Sequence, residues 1–194
     1  MIVRALRAGS RACAPIVVAL FAGCAQMPAE VAPGHATPTA NAFTAAGRIS
    51  AKHGSEGVAG HFDWTHTADR DDIALATPLG QTIARLDGGA NEVRITLPDG
   101  RVASAADWDA LTRSELGSPI PVRGLSAWLR GAPRASAPSD IERDAQGRAS
   151  VLRQDGWEVV YGYSDDASRT PARLTLRYTA DPTIEVRLAI DQWQ

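Results

Sequence analysis

The sequence predicts a mainly β domain with a few helical turns: one antiparallel sheet of about ten or eleven strands, curled into a barrel, with two short helices over one opening. From Gly47 onward, apolar and polar residues alternate in short segments, which is the period of a half-buried strand. Gly, Pro and Asp interrupt these segments at regular spacing, as in hairpin-connected sheets. Two segments between the strand groups have helical spacing instead. The 194 residues are enough for one such domain with a substantial core.

The first group of predicted strands lies before residue 100. Small or polar residues separate its apolar positions, which are Val58, Phe62, Trp64, Ile73, Leu75, Ile83, Leu86, Val93, Ile95 and Leu97. Pro98-Asp99-Gly100 then predicts a turn, because proline and glycine supply the backbone angles that tight turns need. The alternation therefore indicates a series of antiparallel strands joined by short turns.

The second group of predicted strands begins near Val151. Asp155-Gly156 separates it from the segment 157–163, and this dipeptide is a strong signal for a two-residue hairpin loop. The later apolar positions are Leu174, Leu176, Tyr178, Ile184, Val186, Leu188 and Ile190. Their period of two indicates that one face of each strand points into a core.

Two helices are predicted between the strand groups. Trp108, Leu111 and Leu116 have helical spacing, with Asp107 as the N-cap and Gly117 as the stop. A second amphipathic segment contains Val122, Leu125, Trp128 and Leu129 and ends before Gly131 and Pro133. Helices this short cannot bury their apolar faces alone, so they are expected to lie on the sheet as a lid.

Residues 1–23 have the pattern of a lipoprotein signal peptide. Arg4, Arg7 and Arg11 precede an apolar stretch of about a dozen residues, too short for a membrane span of about 20. The stretch ends on Phe21-Ala22-Gly23-Cys24, which resembles a bacterial lipobox whose cysteine thiol accepts diacylglycerol. The alternative is an ordinary secretory signal with an incidental cysteine.

The predicted organisation of the mature chain is a tether followed by one domain. Residues 24–42 are rich in Ala, Pro and Thr without an apolar period, so they are expected to form a lipidated N-terminus and a flexible tether before a single barrel domain, 43–194. Removing residues 1–23 takes away three arginines and changes the formal charge from −2 to −5. With Cys24 acylated, no thiol remains for a disulfide, a metal site or catalysis.

Composition and motifs argue against several classes of function. A mildly acidic chain argues against a nucleic-acid footprint and against a polybasic patch for anionic lipid. The four histidines lack metal-ligand spacing, and the sequence has no phosphate-cradling loop, nucleophile elbow or recognisable carboxylate pair. We therefore expect no enzyme activity, metal or cofactor apart from the acyl groups on Cys24, a diacylglycerol and an N-linked chain such as palmitate.

Landmarks along 47–193 resemble the LolB family of outer-membrane lipoproteins. They include Gly47-Arg48-Ile49, Pro78-Leu79-Gly80-Gln81-Thr82, Pro119-Ile120-Pro121, Asp155-Gly156-Trp157, and Asp191 with Trp193. The resemblance implies a half-open antiparallel barrel with a helical lid over an apolar cavity. It also implies a function: acylated lipoproteins are taken from the soluble carrier LolA and released into the outer membrane. LolA has a similar fold without an anchor, so Cys24 favours LolB.

The resemblance also implies location and partners. Ala25 follows the cysteine, where aspartate commonly signals retention, so delivery to the outer membrane, facing the periplasm, is expected. The implied partners are a LolA-like carrier, acylated lipoprotein cargo and outer-membrane lipid, with no nucleic acid. A monomer is expected, and transfer is expected to run downhill without nucleotide.

Leu79 is the first candidate site residue. It lies with Pro78 and Gly80 in a turn-like break between two predicted strands. The resemblance implies a protruding loop whose exposed leucine acts at the membrane, where burying one leucine is worth roughly 1.5–3 kcal/mol. The alternative is a leucine folded back onto the core.

Seven apolar side chains are candidates for the acyl-chain cavity. They are Trp64, Trp128, Trp157, Trp193, Phe62, Leu125 and Leu129. Large rigid rings offer extensive apolar contact area, but plain core packing is the competing interpretation for each of them. Trp108 is interpreted as a core residue.

Two other functions compete with that of a lipoprotein acceptor. One is a structural or assembly lipoprotein that binds another envelope protein rather than acyl chains, and the other is an envelope hydrolase. Binding of a hydrophobic dye or a fatty acid separates the acceptor from the structural lipoprotein, whereas turnover on envelope substrates would be needed to support the enzyme.

Overall fold

A computed structural model describes residues 41–116, 120–135 and 137–194, which belong to one compact unit. The predicted signal peptide, Cys24 and the tether up to residue 40 lie outside the described residues and stay predictions. The predicted helix stop at Gly117 lies outside them as well. None of the helices in the described ranges is long and apolar enough to cross a membrane.

Eleven strands form a single antiparallel sheet, as predicted. The strands are β1 Phe43–His53, β2 Glu56–His66, β3 Arg70–Ala76, β4 Thr82–Gly89, β5 Val93–Thr96, β6 Val102–Ala105, β7 Ser139–Arg143, β8 Ala149–Gln154, β9 Trp157–Gly162, β10 Arg173–Tyr178 and β11 Ile184–Trp193. Their order is β6-β5-β4-β3-β2-β1-β11-β10-β9-β8-β7, so two meanders join where β1 pairs with β11. Within the described chain β6 and β7 are not paired with each other, which leaves the sheet open.

The predicted hairpin at Asp155-Gly156 is present between β8 and β9. Both residues have positive φ angles, 53° and 77°. Two consecutive positive φ angles are what a two-residue type I′ loop requires, and glycine adopts them without steric cost. The loop sets the register in which Gln154 opposes Trp157.

Two glycines allow neighbouring backbones to approach closely. A Cβ atom on Gly47 would collide with the carbonyl oxygen of Ala189, at the register shift between β1 and β11. A Cβ atom on Gly60 would collide with the carbonyl oxygen of Ala76 and would also meet Ile83. Glycines and bulges at such points let a sheet bend, which is how a strand series curls toward a barrel.

The two predicted helices are present, as α1 Trp108–Leu116 and α2 Val122–Trp128. The predicted N-cap of α1 is confirmed, because the Asp107 carboxylate accepts a hydrogen bond of 2.8 Å from the backbone N–H of Ala110. α1 packs against β5, β6 and α2. The buried helix residues share one hydrophobic core with the inward-facing strand residues, so the helices lie on the sheet and complete the core.

Candidate functional site

The loop that carries Leu79 is held by its own backbone. The N–H of Gly80 donates to the carbonyl of Thr77 at 2.9 Å, and the N–H of Thr77 donates to the carbonyl of Gln81 at 2.7 Å. The N–H of Gln81 also donates to the Thr77 hydroxyl oxygen at 3.1 Å. Gly80 has a φ of 83°, which a residue with a Cβ atom rarely adopts. The loop is therefore a defined turn between β3 and β4.

Leu79 projects from this turn into solvent. Its side chain is 90% exposed, so the alternative of a leucine folded onto the core does not describe this structure. Pro78 and Gly80, the other predicted residues of this loop, lie on either side of it. Its role at a membrane stays a prediction.

Val58 lies at the same end of the sheet as Leu79 and was not predicted as a site residue. β2 continues past the end of β3, since His61 pairs with Ala76 and the residues before His61 have no β3 partner. Val58 lies in this overhang and is 54% exposed. The end of the sheet that carries the Leu79 loop therefore presents two exposed aliphatic side chains.

The seven cavity candidates all belong to the hydrophobic core. Six of them are buried: Phe62, Trp64, Leu125, Trp128, Leu129 and Trp157. Trp193 is half-buried and packs against Phe43, with ring centroids 5.6 Å apart, and Phe43 in turn packs against Trp64 at 5.5 Å. Trp108 is buried as expected. All seven residues belong to the one core that the sheet and the helices share, and whether they contact acyl chains stays a prediction.

Gln154 is a buried polar residue that was not predicted as a site residue from the sequence. Its side-chain oxygen accepts hydrogen bonds from the Trp128 indole N–H at 2.8 Å and from the Arg134 backbone N–H at 2.7 Å. Its amide nitrogen donates to the carbonyls of Arg134 and Ala137 at 3.0 and 3.1 Å. Gln154 thus ties the end of α2 and the following segment to β8. The available signal was a polar residue two positions after Leu152, on the inward-facing side of its strand.

The position of the Trp128 ring also depends on its close contact with Gly124. A Cβ atom on Gly124 would lie 2.6 Å from the Trp128 ring, so only glycine permits this ring position within the same helix. The indole is fully buried. The lid helix is therefore held by ring packing at Gly124 and by the hydrogen bond to Gln154.

Tyr161 carries a hydroxyl that is buried without a hydrogen-bond partner among the described residues. Burial raises the pKa of this phenol above its usual value. Tyr163, two residues further along, has a satisfied hydroxyl that donates to the carbonyl of Ala149 at 2.9 Å. The two tyrosines therefore form a natural pair for comparison.

The Tyr161→Phe variant is expected to be more stable than the parent by about 1 kcal/mol, because it removes a buried polar atom that has no partner. Tyr163→Phe is the matched control and is expected to lose about 1 kcal/mol, because it removes a satisfied hydrogen bond. Urea denaturation of both variants measures the two changes. Equal losses in both would show that the Tyr161 hydroxyl has a partner in solution.

No metal centre is evident in the described ranges, where no three His, Cys, Asp or Glu side chains gather as ligands. His66 and Asp71 lie close together, with Nδ1 and Oδ1 2.7 Å apart. The same carboxylate oxygen accepts from the Trp64 indole N–H at 2.9 Å. This cluster orients Trp64 and accounts for the polar atom of that buried ring.

The family model described as "Outer membrane lipoprotein LolB" matches residues 41–193, which is most of the chain and all eleven strands. This chain belongs to the LolB family. A LolB from Bordetella petrii is 38% identical over 90% of this chain and 88% of its own length. A LolB from Thiobacillus denitrificans is 33% identical over 89% of this chain and 90% of its own length.

A solved structure gives the fold independently. A LolA superfamily protein from Nitrosomonas europaea aligns with a TM-score of 0.50 at 7% identity, covering 81% of this chain and 87% of that one. At this identity the likeness shows the fold alone. The predicted LolA/LolB-like antiparallel architecture is confirmed.

Membership of the LolB family confirms the central predictions from the sequence. The chain is an outer-membrane lipoprotein that acts in lipoprotein localisation, and the family is a transport component rather than an enzyme. The alternative of a structural or assembly lipoprotein is not favoured.

Proposed function

We propose that this chain accepts acylated lipoproteins from a LolA-like periplasmic carrier and inserts them into the outer membrane. In this proposal acyl groups on Cys24 anchor the protein, the tether spaces the domain from the bilayer, and a monomer faces the periplasm. The observation that carries the proposal is the single apolar core formed by the sheet and two short helices, with an exposed leucine projecting at one end.

The chemistry of the cargo explains why an apolar interior is needed. A mature lipoprotein carries about three acyl chains, and each methylene exposed to water costs about 0.8 kcal/mol. Full exposure would cost tens of kcal/mol, so free diffusion between membranes is prohibitive. A protein that covers the chains removes this barrier without forming a covalent bond.

Loading requires the interior to open, because Trp128 and Leu129 are fully buried between the helices and the sheet. The open side of the sheet, between β6 and β7, offers a route that breaks no strand pairing. We propose that α1 and α2 shift away from the sheet and that acyl chains take over the contacts of the helix side chains. Replacing one set of apolar contacts by another keeps the free-energy change of loading small.

Release is proposed to run downhill and without nucleotide. Chains are held more weakly by the carrier, more strongly here and most strongly in the bilayer. Leu79 would contact the bilayer transiently, since one leucine contributes only roughly 1.5–3 kcal/mol on burial. That is enough to bias an encounter with lipid but too little to hold the protein there.

The test is transfer of a triacylated lipoprotein from a purified periplasmic carrier to soluble protein comprising residues 25–194, which contains every strand and the whole described core. Cargo is expected to move without nucleotide and then to enter liposomes. Binding of a fatty acid to the same protein provides an independent measure of apolar capacity. If no carrier hands over cargo and no fatty acid binds, the acceptor function is wrong for this chain.

A further inference from the structure

The outer face of β1, β10 and β11 is basic although the chain as a whole is acidic. Alternation along these strands puts five basic side chains on this face, which we call the basic face: Arg48, Lys52, Arg173, Arg177 and Arg187. The carboxylates on the same three strands there are Glu185 and Asp191. The face therefore carries a formal excess of positive charge, whereas the whole chain has a net charge of −2.

Strand register and ion pairs show how these charges are held. Ala189 of β11 lies between Arg48 of β1 and Arg173 of β10, so the two arginines lie on one row across the sheet. Arg48 pairs with Asp191 at 3.0 Å. Glu185 is shared, 3.1 Å from Arg177 and 2.7 Å from Arg187.

Two cations of the basic face form no ion pair among the described residues, although Lys52 lies opposite Glu185 in the register of β1 and β11. Lys52 and Arg173 are exposed, and within the described residues neither forms an ion pair. Since one carboxylate serves both Arg177 and Arg187, the pairing leaves positive charge on the face even where ion pairs exist. This surface is therefore complementary to an anionic partner.

A cleft of about 420 Å³ lies at this face. Its lining includes Arg48, Arg173 and Arg187, the small residues Ser50, Ala59 and Ala189, and the apolar residues Ile49, Leu174 and Leu188. The cleft surface is therefore mainly apolar, and the three arginines supply its charge. Every lining residue belongs to the described chain, and none of them is an aspartate or a glutamate. Pro78 also lines the cleft and directly precedes Leu79, so the cleft adjoins the loop that carries the exposed leucine.

We propose that the basic face, with this cleft, binds the phosphate groups of anionic phospholipids in the bilayer that Leu79 enters. The inference rests on the proposed membrane contact of Leu79 and adds the polar half of that contact. Guanidinium groups match phosphate in charge and in hydrogen-bond geometry. Pro78 lines the cleft and also belongs to the loop that carries Leu79. A bilayer that receives the leucine therefore also contacts the arginines. A free phosphate ion would bind the arginines without any need for the neighbouring leucine.

The paired contact gives the domain an orientation on the membrane. The exposed side chains of Leu79 and Val58 mark one end of the sheet, but apolar contacts at one end do not fix which sheet face turns toward lipid. A second, charged contact on the adjoining sheet face fixes which side of the barrel turns toward lipid. Attraction by such a face falls with ionic strength, since the Debye length shortens from about 10 Å at 0.1 M salt to about 3 Å at 1 M.

The test measures vesicle binding by soluble protein comprising residues 25–194. The parent protein is compared with a double variant that carries Lys52→Gln and Arg173→Gln. Vesicles of phosphatidylcholine alone are compared with vesicles that also contain phosphatidylglycerol. Each charge near an anionic surface is worth about fivefold in partitioning, so the double variant is expected to lose about 25-fold on the anionic vesicles at low salt. On neutral vesicles its binding is expected to equal that of the parent.

The matched control is the pair Arg113→Gln and Arg123→Gln. These arginines lie exposed on α1 and α2, away from the basic face, and removing them changes the net charge by the same amount. The control is expected to retain most anionic-vesicle binding. An equal loss of anionic-vesicle binding in both double variants would show that only net charge matters and would overturn the inference. Unchanged binding by the Lys52→Gln/Arg173→Gln variant would also overturn it.

Leu79→Glu separates this inference from the proposed function. That variant is expected to lose binding to neutral and anionic vesicles alike, because it removes the apolar contact. If Leu79→Glu binds as the parent does while the basic-face variant fails on anionic vesicles, the membrane role of the leucine is wrong and the phosphate site stands. If only Leu79→Glu has an effect, the phosphate site is wrong.

Discussion

Replacing Leu79 with glutamate is expected to slow release of a loaded lipoprotein into liposomes by about 10- to 100-fold while leaving uptake from the carrier unchanged. Removing the leucine forfeits roughly 1.5–3 kcal/mol of burial in lipid, and each 1.4 kcal/mol is a factor of ten. The carboxylate adds a further cost on entering an apolar medium. Release is measured as cargo that floats with liposomes after mixing with loaded protein.

The fold is expected to survive this change, because the loop is held by backbone hydrogen bonds and the Leu79 side chain is 90% exposed. Gln81→Glu is the matched control, since it adds the same charge at an exposed position of the same loop. Leu79→Phe is expected to retain release because it keeps a large apolar side chain. Normal release by Leu79→Glu, or an equal defect in Gln81→Glu, would contradict an apolar membrane contact at this residue.

Replacing Gln154 with leucine is expected to lower the free energy of unfolding by about 3 kcal/mol. The change leaves the Trp128 indole N–H and the Arg134 backbone N–H without their acceptor, and each buried unsatisfied group costs about 1–3 kcal/mol. For a domain of this size the melting temperature should fall by about 6–12 °C. Urea denaturation and thermal melting measure the two quantities.

The same substitution is also expected to loosen the lid before the domain unfolds. Hydrogen exchange at the Trp128 indole should accelerate more than exchange in the central strands β1 and β11, because only the end of α2 loses its tie to β8. Gln146→Leu is the control, since Gln146 is exposed in the turn between β7 and β8. A loss of stability no larger than that of Gln146→Leu would mean that the Gln154 hydrogen bonds contribute little.

Several features could be predicted from local sequence because their causes are local. The alternation at Phe62 and Trp64, the loop at Asp155-Gly156 and the cap at Asp107 all follow from backbone preferences and side-chain period. The number of strands followed from counting such segments. Alternation and helical spacing also predicted the barrel and its lid. The family resemblance then added the half-open form, the apolar cavity and the role of the Leu79 loop, and the family match supports that assignment.

Other features depend on residues that are distant in the chain. Composition alone argued against a polybasic patch, yet β1, β10 and β11 bring basic residues between Arg48 and Arg187 onto one face. The role of Gln154 likewise depends on Trp128, which lies 26 positions away. Strand register determines which distant side chains become neighbours. A shift of one residue would move every side chain of the strand to the opposite face of the sheet, so the hydrophobic period alone cannot predict these contacts.

By itself, then, the sequence determined which segments are strands or helices, where the chain turns and which family it belongs to, because these depend on local spacing and on motifs in order. Only the tertiary structure decided that the strands and helices share one buried core, that Leu79 projects away from it and that Arg48, Arg173 and Arg187 line one cleft beside the Leu79 loop. The physical reason is that burial and charge clustering depend on pairing between strands far apart in the chain, and that pairing is selected by the free energy of the whole sheet and core.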